Sequence, residues 1–171
     1  MEIALLSKNG LRFKSKLAAF AVDPQDKSDY DAIFLLVKSP DEITSQAPIL
    51  ITGPGEYEIG GSKITASRSE KEILYSLTLD SIDILLGTLT GLEKMQHKLK
   101  EHHIVVVDCN TISSASFVTS LASNVIIFYG EKATEIAQAF GKESVKSMTK
   151  YSSTLEKLPG EVETILLATS D

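Results

Sequence analysis

The sequence predicts a mixed α/β (α+β) domain built from many short strands and a few helices, and three observations carry that expectation. Strand-length runs rich in apolar residues recur along the chain, at residues 32–37, 104–108, 124–128 and 162–168. Elsewhere apolar residues fall three and four apart, as in Leu92, Met95 and Leu99, which is the spacing of a helix with one buried face. Gly, Pro, Asn and Asp punctuate the runs where turns are needed. No internal repeat or low-complexity linker divides the chain, so residues 1–171 are expected to form a single domain.

Taken in order, residues 2–6, an Asn9-Gly10 turn and residues 11–14 read as a hairpin, since Asn-Gly supplies the backbone that tight hairpin turns require. Residues 17–22 are a third strand, closed by Asp23-Pro24 because proline cannot donate to a sheet ladder. A polar connection, 25–31, leads to the buried strand 32–37, which ends at Lys38-Ser39-Pro40. After a short apolar strand at 49–51 comes Gly53-Pro54-Gly55. There Pro54 fixes φ for a tight turn, and the two glycines can take positive φ. Tyr57, Ile59, Ile64 and Ala66 alternate with Glu58, Lys63 and Thr65 around the Gly60-Gly61 pair, as strands with one wet face do. Residues 73–79 and 82–86 form a further hairpin turning at Asp80-Ser81, and 90–102 an amphipathic helix. Strand 104–108 precedes a short helix, 113–122, with Phe117, Val118 and Leu121 inward, and then strand 124–128. Helix 133–140 turns Ile136, Ala137 and Phe140 inward and is stopped by Gly141. An extended segment at 145–151, a Pro159-Gly160 turn and strand 162–168 complete the pattern.

With 171 residues, 43% of them hydrophobic and 23% charged, the chain has enough material for a core that needs no disulfide or metal. Its net charge of -6 argues against nucleic acid and against an anionic membrane as partner, because both require a basic face. Cys109 is the sole cysteine, so no internal disulfide is available. There is no charged-then-apolar leader and no apolar run long enough to span a bilayer, which makes a reducing cytoplasm the expected setting.

Several side chains are candidates for chemistry. Glu56 follows the glycine-proline turn, where its carboxylate would either accept backbone N–H bonds as an anchor or stand at the mouth of a sheet. His97, His102 and His103 are the only histidines; the first falls on the polar side of helix 90–102 and the others at its end, where a cation is favoured. A metal reading needs two of them to converge with a third ligand, and adjacent residues tend to diverge. Cys109 would need a neighbouring base to act as a nucleophile, and the sequence supplies none.

Gly53-Pro54-Gly55-Glu56-Tyr57-Glu58 resembles a branch of the metallo-β-lactamase-fold hydrolases, in which a GPGEYE-like turn follows the main metal-binding loop and leads into a new strand. The resemblance implies a four-layer αββα sandwich in a compact variant. It also implies a comparison with the metal ligands of those enzymes. The Asp23-Pro24 corner has its counterpart there, but the THxHxDH loop does not survive: Lys38, Pro40 and Ile43 stand where histidines would, and Glu42 stands where the aspartate would. Thr88 takes the place of a metal-bridging aspartate, and the final histidine position falls near Phe128-Tyr129-Gly130. The expectation is a degenerate member without metal or other cofactor, acting as a non-catalytic binding or assembly module that pairs with itself or with a protein partner. Its residual pocket would be lined by Lys38, Glu42, Glu56, Thr88 and Tyr129. The alternative is a divergent hydrolase, either holding one metal through Glu42, Glu56 and Asp108 or working without metal through Cys109. Neither a ligand nor a substrate is named by these residues.

Overall fold

A computed structural model describes residues 1–7, 9–26, 28–37, 40–111, 118, 120–140 and 145–169. The N-terminal strands are β1 (Glu2–Ser7), β2 (Gly10–Lys14), β3 (Ala19–Val22), β4 (Ala32–Phe34) and β5 (Ile49–Ile51). A second set follows as β6 (Gly55–Ile59), β7 (Ser62–Ser69), β8 (Glu72–Leu79), β9 (Ile82–Thr88), β10 (Ile104–Asp108) and β11 (Val125–Tyr129), with α1 (Leu89–Met95) after β9. Helix α2 (Ala133–Phe140) and strands β12 (Val145–Met148), β13 (Lys150–Ser152) and β14 (Glu163–Leu167) complete the described elements. Two sheets result, a six-stranded one in the order β13-β1-β2-β3-β4-β5 and an eight-stranded one in the order β12-β14-β11-β10-β9-β8-β7-β6.

The main core lies between the sheets, because alternate residues of each strand point inward. Ile3, Phe13, Phe20 and Phe34 from one sheet meet Ile64, Tyr75, Ile84, Val106 and Ile127 from the other. The residues of opposite parity on the larger sheet, among them Leu74, Leu85, Val105 and Phe128, are covered from outside by α1 and α2. On the outer face of the smaller sheet, Tyr30 from the connecting segment covers Ala21, Ile33 and Leu35 together with the half-buried Ile43 and Ala47. That layer is thin, and its regular structure among the described residues is the 3₁₀ turn Pro40–Glu42. No described helix is long and apolar enough to cross a membrane.

Several boundaries depart from the sequence expectation for identifiable reasons. The third strand begins at Ala19, not Leu17, because Ser15 Oγ accepts from the amides of Leu17 and Ala18 and holds a tight turn there, leaving Leu17 78% exposed. Strand β4 ends at Phe34. Leu35 and Leu36 stay buried beyond it, but their amides bond Tyr75 and Asp23, and Val37 is 61% exposed. The helix expected over 90–102 is α-helical only to Met95, then passes into the 3₁₀ turn Gln96–Lys98. Residues 145–151 are two strands, β12 in the larger sheet and β13 in the smaller. The expected helix 113–122 falls largely outside the described residues, as does Gly141.

The glycine expectation also shifts along the chain. Gly53 and Gly55 do not take positive φ, and Gly55 opens β6. The left-handed pair is Gly60 at φ +55° and Gly61 at φ +72°, which make the two-residue turn joining β6 to β7.

Tyr75 ties the two sheets together. Its hydroxyl donates to the Leu35 carbonyl at 2.7 Å and accepts from the Leu35 amide at 3.1 Å, just where β4 stops. Burial raises the Tyr75 pKa, which keeps the hydroxyl protonated and able to donate. Tyr75→Phe is expected to cost about 1–2 kcal/mol in chemical denaturation, because the Leu35 carbonyl is left unsatisfied. The Leu35 amide would retain only a longer bond to the Ile51 carbonyl, at 3.4 Å.

Candidate functional site

The parallel strands β9, β10 and β11 end side by side, and their registers align Thr88, Asp108 and Tyr129 in one row. All three share parity with core residues such as Ile84, Val106 and Ile127, so the row stands on the inter-sheet face at the carboxyl ends of the strands. Clefts that bind ligands open at such strand ends in sheet proteins. From the facing sheet, Asp23 follows β3 with a positive φ of 43°, and its Oδ1 lies 3.4 Å from the Leu36 amide.

Each member of the row is held by the chain. Thr88 is the N-cap of α1, its hydroxyl accepting from the Gly91 amide at 3.0 Å, which is why a threonine at this strand end starts a helix. Asp108 Oδ1 accepts from the Asn110 amide at 2.9 Å. Tyr129 is fully buried. Its pKa is pushed well up, first by burial and then by the negative charge of Asp108 and Asp23, so the phenol stays neutral. Asp108 is thus near enough to act on that hydroxyl electrostatically, although the hydroxyl has no well-formed hydrogen bond among the described residues. Beyond the row, Gly130 at φ +106° lets the chain turn close past Asn110, whose Oδ1 accepts from the Glu131 amide at 3.1 Å. A cleft of about 370 Å³ opens beside this turn, with Leu5, Gly130, Glu131, Lys132 and Leu167 in its wall.

The residues singled out in the sequence do not all meet here. Thr88 and Tyr129 do, joined by Asp108. Glu42 is exposed on the turn Pro40–Glu42, and Lys38 lies outside the described residues. Glu56 is elsewhere altogether: it is exposed on the edge strand β6, on the outer face of the larger sheet, and its carboxylate makes no hydrogen bond with the described residues. Among the described residues the backbone anchor is therefore not formed. The set Glu42, Glu56 and Asp108 is also not assembled, because Glu56 and Asp108 stand on opposite faces of one sheet.

Cys109 is buried with its thiol pushed up to about 12, first by burial and then by the Asp108 charge, which leaves little thiolate for nucleophilic attack. His102 and His103 diverge: His102 Nε2 meets Ser76 Oγ, whereas His103 Nδ1 accepts from the Asp83 amide. Asp23 is a site residue that sequence reading treated only as a strand corner. A carboxylate at a strand end was the available signal, but only the folded chain shows that its charge acts on Tyr129.

The chain superposes on a Thermotoga maritima protein assigned as a Zn-dependent hydrolase of the metallo-β-lactamase superfamily, with a TM-score of 0.74 at 16% identity over 96% of this chain and 97% of that one. The chain has the metallo-β-lactamase fold. A Parabacteroides distasonis protein assigned as a metal-dependent hydrolase gives a TM-score of 0.60 at 14% identity over 95% of this chain and 91% of that one. A CmlA β-hydroxylase variant gives 0.54 at 8% identity, matching 95% of this chain but only 52% of that larger one. No family model matches the sequence, and neither does any curated protein.

Within the metallo-β-lactamase fold, a metal at the strand ends needs imidazole, thiolate or carboxylate donors that converge. The row here offers a threonine hydroxyl committed to a helix cap, one carboxylate and a buried neutral phenol. Among the described residues, no three His, Cys, Asp or Glu side chains come close enough to hold a metal ion. The donors of this row do not fit a divalent metal centre.

Proposed function

We propose that this end of the sandwich is a non-catalytic binding site, and that the protein works in the cytoplasm as a binding or assembly module on a metallo-β-lactamase scaffold, pairing with itself or with a protein partner. One observation carries the reading. Thr88, Asp108 and Tyr129 occupy the row where metal-binding donors would converge, and two of the three are spent on the chain's own backbone while the third is enclosed. Hydrolysis by metal-activated water needs converging metal donors, and a capping threonine, a single carboxylate and an enclosed phenol do not supply that set. The adjoining cleft offers Glu131 and Lys132 as paired polar contacts for a partner.

The competing reading, a hydrolase with a reduced site, is favoured by the buried carboxylates of Asp23 and Asp108 at the same end. Elemental analysis of protein purified without chelator decides between them. Metal far below one equivalent is expected, together with no thermal shift on adding zinc, manganese or iron; near-stoichiometric metal would sink the binding-module reading.

A further inference from the structure

On the outer face of the eight-stranded sheet a groove of about 300 Å³ runs between the strands and the segment that follows α1. Leu74, Leu85, Met95 and Leu99 make its apolar side, and Ser76 and His102 stand in it together. Ser76 Oγ lies 2.8 Å from His102 Nε2, and His102 Nδ1 lies 2.8 Å from the Lys100 carbonyl oxygen. A carbonyl only accepts, so these bonds assign the ring proton to Nδ1. Nε2 is then the bare nitrogen, and it accepts the Ser76 hydroxyl proton. Burial holds the His102 pKa below its ordinary value, which keeps the imidazole neutral near pH 7 and able to act as a base. A hydroxyl within hydrogen-bond reach of a base, itself oriented by a third group, is the arrangement that activates a nucleophile.

We propose that Ser76 and His102 form a nucleophile–base pair that accepts an acyl group from a carboxylic ester held in this groove. Ser76 Oγ attacks the ester carbonyl carbon as its proton passes to His102 Nε2. The acyl C–O bond then breaks, and the leaving oxygen takes that proton and departs as the alcohol. Water, giving a proton to the same nitrogen, attacks the acyl-serine; the carboxylic acid leaves and the proton returns to Ser76 Oγ. The apolar side of the groove suits an aliphatic acyl chain. Lys98 and Lys100 line the groove and are the cations available to the oxyanion that forms. The pair stands on the opposite face of the sheet from Thr88, Asp108 and Tyr129, so it holds or fails independently of the binding site at the strand ends.

The test exposes the full chain to p-nitrophenyl acetate. A burst of p-nitrophenolate is expected, with one acetyl group per chain that peptide mass mapping places on Ser76. Ser76→Ala abolishes burst and adduct, and His102→Gln slows acylation about 100-fold or more with an unchanged circular dichroism spectrum. The burst rate falls as the pH is lowered and the imidazole takes up a proton. Burial lowers that pH first; the titratable and charged groups around the ring are Asp83, Glu101, His103 and Lys100, with Glu56 and Lys98 across the groove. Labelling of the parent chain at Ser76 by a fluorophosphonate supports the same conclusion without any variant. Absence of both burst and label, or acetyl groups on lysines alone that persist in Ser76→Ala, overturns the proposal and leaves Ser76 and His102 as a structural hydrogen bond.

Discussion

Phe34→Ala is expected to lower the unfolding free energy by about 3–5 kcal/mol, read as a shift of the urea midpoint. Phe34 is fully buried in β4, and its ring stacks between Phe20 at 5.5 Å and Tyr75 at 5.0 Å between centroids. Phe20 belongs to the same sheet and Tyr75 to the facing one, so the stack crosses the middle of the sandwich. Removing its central ring forfeits the transfer free energy of the side chain and leaves a cavity against two large rings that lie within strands and have little room to collapse. Val106 is equally buried on the other side of the core. A loss below about 1 kcal/mol would mean that the two sheets do not close over Phe34.

Gly60→Ala is expected to cost about 2–4 kcal/mol, whereas Gly53→Ala should change stability by no more than about 0.5 kcal/mol. The difference is one of backbone and space. Gly60 sits at φ +55°, where a side chain is strained, and an added Cβ would come within 2.5 Å of the Ala18 Cβ. At Gly53 the added atom would meet only the Arg68 guanidinium, at an ordinary 3.5 Å. Thermal or urea denaturation of the two variants side by side checks the pair. A loss at Gly60 no larger than that at Gly53 would mean that the turn between β6 and β7 is not the strained one.

That last contrast shows what the chain discloses before it folds. Alternation of polar and apolar residues exposes the wet and dry faces of β7 and β8, and the continuous apolar runs mark β10 and β11 as strands buried on both sides. Glycine-proline content marks a turn but not its φ, because two candidate glycine sites lie only a few residues apart and the two-residue turn between β6 and β7 falls at the second. Leu17 and Val37 look like strand residues, yet local hydrogen bonding and strand ends leave them outside. Of the row, Thr88 and Tyr129 were legible through the resemblance to the metal-site positions, and Asp108 through the polar end of a strand. Which face Glu56 would take depended on the register of β6 with β7, and that Ser76 and His102 would meet depended on a contact between residues 26 apart in sequence.

The pairing of β1 with β13 has a consequence in time. Glu2 lies opposite Ser152 and Ile3 opposite Tyr151, so β1, which precedes every other strand of this domain in the chain, gains its outer neighbour only after most of the domain has been made. Until then one edge of the N-terminal hairpin stays open, with backbone donors and acceptors that another nascent chain could borrow. Closing so long a loop is also entropically slow, as in other β-rich domains of high contact order. The same late contact that completes the smaller sheet therefore sets the interval during which the protein is most exposed to misassembly.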